Sequence, residues 1–179
     1  MPNKSLFSSH WLPIIAAALA LVVVHGFGRF VYTPLLPLLV SDNLITLPEA
    51  AAVASWNYVG YLLGAMLALF LYQRALGRVS LLAMLVTSVV ITILQVFAEN
   101  YESLAFLRLL NGITNGVVFV LAPALVLEWL VEVGKPQHSG LMYLGVGAGI
   151  LSSTVLVELS SNWTNGSGRW ITAAVVSVP

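Results

Sequence analysis

Arg29 lies 18 residues past Trp11 in one long apolar run, and Arg108 lies five residues past Ser103 in another. At about 100° per residue, each has polar company on its own helical face. His25 and Tyr32 share the face of Arg29, while Asn111, Asn115 and Gly112 share that of Arg108. In a third apolar run, Asn57 and Tyr61 line up with Gly64. Guanidinium, imidazole, phenol and amide groups in apolar surroundings suit binding or gating by charge and hydrogen bonds. Asn57 and Asn115 have a second reading of equal weight, as hydrogen-bonding contacts between helices.

No Asp or Glu lies in the middle of any apolar run; Glu49, Glu128, Glu132 and Glu158 all sit near run ends. A buried cation is tolerated only when compensated. Two completions follow: an anionic solute, or acids from a part of the protein beyond this sequence. The same lack of central carboxylates argues against a proton relay contained in this segment. Enzyme chemistry finds no constellation. His10, His25 and His138 fall in different regions with no metal-ligand spacing, and there is no cysteine to act as nucleophile or thiolate ligand. The expectation is no catalytic residue, no metal and no cofactor.

The elements that must position these residues are membrane spans. Of 179 residues, 59% are hydrophobic and 8% charged, with seven basic against seven acidic groups and a mean hydropathy of +0.96. A soluble domain carries about 25% charge. So little charge could not cover a soluble surface, and the balanced charge speaks against a nucleic-acid partner. About 20 apolar residues cross a bilayer as a helix. Five complete runs qualify, over 11–40, 48–72, 79–98, 103–131 and 139–160, the first broken by the polar stretch 25–29. A sixth, 170–179, would reach only about 15 Å, half a bilayer core. The expected fold is all-α, a polytopic helix bundle, and the chain reads as a fragment of something longer. The first run is too long for a cleaved signal peptide, although Lys4 precedes it.

Basic residues set the orientation. With the N-terminus in the cytoplasm, Lys4, Arg74, Arg78 and Lys135 fall inside and Arg169 alone outside, with Asp42, Glu49, Glu99 and Glu102. Small residues mark close helix approaches: Gly60 with Gly64, Gly112 with Gly116, and Gly145 with Gly149. Pro34, Pro37 and Pro123 interrupt backbone bonding within runs, as where helices bend around a cavity.

The stretch Gly26-Phe27-Gly28-Arg29-Phe30-Val31-Tyr32-Thr33-Pro34-Leu35-Leu36-Pro37 resembles the opening helix of the YbfB/YjiJ-like branch of the major facilitator superfamily. Leu107-Arg108-Leu109-Leu110-Asn111-Gly112 is similar to the superfamily's Arg-x-x-x-Gly motif, and Gly168-Arg169-Trp170 to the usual start of its sixth helix. The loop Gln73-Arg74-Ala75-Leu76-Gly77-Arg78 keeps the Gly-Arg end of the motif between helices two and three but lacks its aspartate. The resemblance implies the N-terminal half of a twelve-helix secondary transporter of a bacterial inner membrane. Its solute would bind at mid-membrane between two halves, with helices one and four lining the cavity and proton coupling a family property. Its partners would be the bilayer, a small solute and the missing C-terminal half. The rival readings are a multidrug efflux transporter and a small structural membrane protein that transports nothing.

Overall fold

The computed structural model describes residues 11–177. Lys4, His10 and the last two residues of the sixth run lie outside the described residues. Five helices are long and apolar enough to cross a membrane: α1 (Trp11–Ser41), α2 (Leu47–Gln73), α3 (Gly77–Phe97), α4 (Tyr101–Glu132) and α5 (Pro136–Ser160). A shorter α6 (Trp170–Ser177) follows. No strand occurs among the described residues. In lipid every backbone polar group needs an internal partner, and a helix supplies one for each residue without an edge.

The helix ends are written in local chemistry. Asn43 takes a left-handed φ of 59° just past α1, and Leu44 N–H bonds back to the Leu39 carbonyl at 3.1 Å, closing the exposed end. Three residues later Thr46 caps α2: its hydroxyl accepts from Glu49 N–H while the Glu49 carboxylate accepts from Thr46 N–H at 2.7 Å. Asn100 caps α4 by accepting from Ser103 N–H at 2.9 Å.

α1 departs from the sequence expectation. The stretch 25–29 does not break the span; it lies within a π-helical segment, Val22–Phe30, between α-helical Trp11–Leu21 and Tyr32–Ser41. Val31 N–H bonds to the Gly26 carbonyl at 2.9 Å, an i→i+5 link. That pattern cannot continue, because Pro34, five residues past Arg29, has no N–H. The α pattern resumes with Leu35 N–H on the Val31 carbonyl.

Glycines let helices meet backbone to backbone. The pairs on α2 and α4 interleave. A Cβ at Gly60 would overlap the Leu109 carbonyl, at Gly64 the Ile113 carbonyl, at Gly112 the Asn57 carbonyl and at Gly116 the Tyr61 carbonyl. α5 approaches α1 in the same way, with Gly145 against the Ala18 carbonyl and Gly149 against Gly26. In the fifth run Gly145 and Gly149 thus serve packing, whereas the Cβ positions of Gly140 and Gly147 are open. Toward one end of the bundle Leu35, Leu39, Val53, Leu104 and Trp170 share a core; toward the other, Ile14, Leu21, Val118 and Leu130 do. Leu62, Met66 and Leu69 of α2, Leu82 and Val86 of α3, and Leu151 and Leu159 of α5 are exposed. An apolar exterior of this extent suits hydrocarbon and not water.

Asp42, at the end of α1, and Arg169, at the start of α6, form a salt bridge across 127 residues. Arg169 Nη2 donates to Asp42 Oδ1 at 2.9 Å, and Gly166 N–H donates to Oδ2 at 2.7 Å. Arg169 also donates to the Ser161 carbonyl at 2.8 Å. The guanidinium and the Gly166 amide hold the Asp42 carboxyl below the usual carboxylate range, and the carboxylate in turn raises Arg169. Topology had placed both residues at one end of the bundle; their pairing was not foreseen.

Candidate functional site

Arg108 is 2% exposed and does not reach toward the membrane surface. Its fork grips the backbone of α1: Nη1 donates to the Gly28 carbonyl at 2.6 Å and Nη2 to the Arg29 carbonyl at 2.9 Å. These acceptors lie where the π pattern gives way to the α pattern, and the Arg29 carbonyl has no i+5 donor because Pro34 stands there. The planar guanidinium suits two neighbouring carbonyls, which a lysine could not bridge in the same way. Tyr32 and Trp170 cover it with their rings, 4.9 Å and 5.8 Å from Cζ. Much of the compensation expected from an anion or a distant acid therefore comes from backbone oxygens and aromatic faces.

The neighbours of Arg108 bind helices together. Asn57 is 3% exposed, and its Nδ2 donates to the Arg108 carbonyl at 2.9 Å, tying α2 to α4. Asn115 donates to Asn111 Oδ1 at 2.9 Å and accepts from Ser88 of α3 at 3.2 Å. Both asparagines are fully buried, and Gly28 sits against them: a Cβ there would come within 3.1 Å of Asn115 Oδ1 and 3.4 Å of Asn111 Nδ2. The Tyr32 hydroxyl donates to the Ala50 carbonyl at 2.9 Å, and its ring stacks on Trp170.

Arg29 is different. Its carbonyl faces Arg108, while its guanidinium lies over three rings: Tyr61 at 4.0 Å, Tyr58 at 4.8 Å and Phe30 at 5.5 Å. Cation–π contacts contribute about 0.5–2 kcal/mol each, so the rings steady the charge without cancelling it. No carboxylate among the described residues forms a salt bridge with it. His25 completes the group. Its ring lies 4.7 Å from Phe119, 6.4 Å from Tyr61 and 6.2 Å from Phe30. The ring is 3% exposed, and neither of its nitrogens has a hydrogen-bond partner.

Arg29, Tyr32, Thr33, Asn57, Tyr58 and Arg108 line a cleft of about 40 Å³. That is room for water, so an organic solute would lie over the cleft and not inside it. The structure thus brings the eight sequence-derived residues to one region in two layers. In one layer Arg108 and Asn57 bind backbone carbonyls while Asn111 and Asn115 bond to each other and to Ser88, with Tyr32 at its edge; Arg29, His25 and Tyr61 form an aromatic layer. Tyr58 and Phe119 belong to the second layer and were missed. Phe119 lies one turn from Asn115 on the α4 stripe, and Tyr58 directly follows Asn57, but aromatic residues in apolar runs carry little signal of their own.

The family described as "Uncharacterised MFS-type transporter YbfB" matches residues 21–178. The chain belongs to this family of the major facilitator superfamily. As such it is a multi-pass membrane protein of a solute-transporter family. The "Gallate transporter" of Pseudomonas putida is 28% identical over 148 residues, which cover 82% of this chain and 32% of that protein. The chain spans about a third of the length of the curated relative it matches. No solved structure matches it. The superfamily's Arg-x-x-x-Gly motif gains a physical reading here. Arg108 and Gly112 stand one turn apart on α4; the arginine grips α1 and the glycine admits the α2 backbone.

Proposed function

We propose that this chain forms the N-terminal half of a secondary transporter that moves a small organic anion by alternating access. The observation that carries the reading is the Arg29 guanidinium, seated over Tyr61, Tyr58 and Phe30 and facing a cleft with no carboxylate partner among the described residues. A partly buried cation framed by rings suits a planar carboxylate, whose charge meets the guanidinium while its ring lies against the aromatic walls. Gallate, the solute in the matched relative's name, is an aromatic carboxylate and the first compound to test. The second half of the parent protein would close the cleft from the opposite side, near mid-membrane. The protein would lie in a bacterial inner membrane, as the family resemblance implies, with its N-terminus in the cytoplasm, a reading supported by the distribution of its basic residues. Of the eight residues, Arg29 is the anchor, Tyr61 and His25 are wall residues, and Arg108 with its amide neighbours fixes the backbone that presents Arg29.

The test is uptake of radiolabelled gallate and related hydroxybenzoates by cells expressing the full-length parent gene. Arg29→Ala should abolish uptake while the protein still reaches the membrane. Unchanged uptake of every transported solute would remove Arg29 from the site.

A further inference from the structure

Among the described residues, His25 is the histidine buried in the bundle core, at 3% exposure. Both of its ring nitrogens are buried without a partner, enclosed by Phe119, Tyr61 and Phe30. Buried polar groups are nearly always paired, and an unpaired one calls for an explanation such as a chemical role. Imidazole is also the side chain that takes up or releases a proton near neutral pH. The Arg29 guanidinium lies 4.0 Å from the same Tyr61 ring.

We propose that His25 is a proton site filled together with the anion: binding of a carboxylate at Arg29 draws one proton onto the imidazole. This rests on the anionic-solute reading above and adds the residue that holds the proton. The argument is electrostatic. While the cleft is empty, a second cation beside Arg29 among aromatic rings has nothing to compensate it. A carboxylate on Arg29 lowers the positive potential around the imidazole, so protonating His25 costs less than it does beside the empty cleft. Anion and proton then favour each other's binding, and the linkage is reciprocal. The balance is simple: hydronium from bulk water gives its proton to an imidazole nitrogen, and no bond of the solute breaks.

The groups around His25 leave it alone in this role. Arg29 on its own helix is a fixed cation. Tyr61 of α2 and, beyond Phe119, Tyr143 of α5 bring phenols. α4 brings the Phe119 ring and a second fixed cation, Arg108, held on the Gly28 and Arg29 carbonyls. α3 carries one charged residue, Arg78, at its far end, and the described part of α6 carries no acid or base.

The experiment uses the full-length protein, purified in detergent in weakly buffered solution at neutral pH with an indicator dye, and benzoate as the probe. Benzoate binding is followed in parallel by calorimetry. Wild type should take up about one proton per benzoate bound, and His25→Gln, which loses the linked proton and a wall group, should bind benzoate more weakly and with no uptake. His25→Asn serves if the first variant does not fold. Binding without proton uptake in wild type, or equal uptake in a histidine variant, overturns the proposal. No benzoate binding at all overturns the anionic-site reading beneath it, and the calorimetric trace tells the two failures apart.

Discussion

Replacing Arg108 separates two accounts of a buried arginine: a charge kept for a solute, or a clamp on a helix. The structure favours the clamp, with two short hydrogen bonds to the Gly28 and Arg29 carbonyls and none to a carboxylate. Arg108→Met removes both bonds, and hydrogen bonds within membrane proteins are worth on average about 0.6 and at most about 1.7 kcal/mol each. The expected loss is therefore roughly 1–3 kcal/mol, because deleting the buried charge also removes its desolvation cost. Arg108→Lys keeps the charge and loses the planar fork, so a cation stays in the same surroundings with one carbonyl at most. Breaking a buried charged contact from one side costs about 3–5 kcal/mol. The conservative change should thus be the more damaging one. Unfolding in mixed micelles, followed by intrinsic tryptophan fluorescence, reads this out, since fully buried Trp170 lies 5.8 Å from the Arg108 guanidinium. A lysine variant as stable as wild type, or a methionine variant less stable than the lysine one, would refute the clamp.

The interleaved glycines give a paired prediction. Gly112→Ala sets a Cβ against the Asn57 carbonyl and 2.9 Å from Tyr61 N, backbone atoms that cannot turn aside, so about 1–3 kcal/mol should be lost in the same assay. Gly147→Ala, with open space at its Cβ, should be neutral or stabilising. The Asp42–Arg169 pair predicts a sign in acid. A carboxyl lowered in the folded state adds stability that is complete above its unfolded value, near 3.9, and fades as pH falls through the lowered one. Wild type should therefore lose stability on acidification through this range by more than Asp42→Asn, which has no carboxyl there to protonate. Equal acid slopes would show that the pair contributes nothing.

The spans were legible because bilayer thickness imposes a length that Leu, Val and Ala runs announce. Close contacts at Gly60, Gly64, Gly112 and Gly116 were legible for a similar reason: a missing side chain every fourth residue is visible in the text. The partner of Arg108 was not. Its acceptors are backbone carbonyls, which every residue carries, and only the shape of α1 singles out two of them. That shape was hidden as well. A face count at about 100° per residue assumes an α-helix, whereas Val22–Phe30 bonds i→i+5. The count grouped His25, Arg29 and Tyr32 together; in the structure the first two gather around Tyr61, and the third stacks on Trp170 beneath Arg108. The Asp42–Arg169 contact joins residues 127 apart, a distance over which local patterns carry no information.

The central claim is that the Arg29 charge selects an anion. Its most direct test is equilibrium binding of benzoate against benzamide, its uncharged isostere, to the full-length protein. A hydrogen bond to a charged group is worth about 1.5–3 kcal/mol, so wild type should prefer benzoate by roughly 10- to 100-fold. Arg29→Gln should remove that preference while benzamide binding stays nearly the same. Equal affinity of wild type for the two compounds, or a preference that survives Arg29→Gln, would contradict the account.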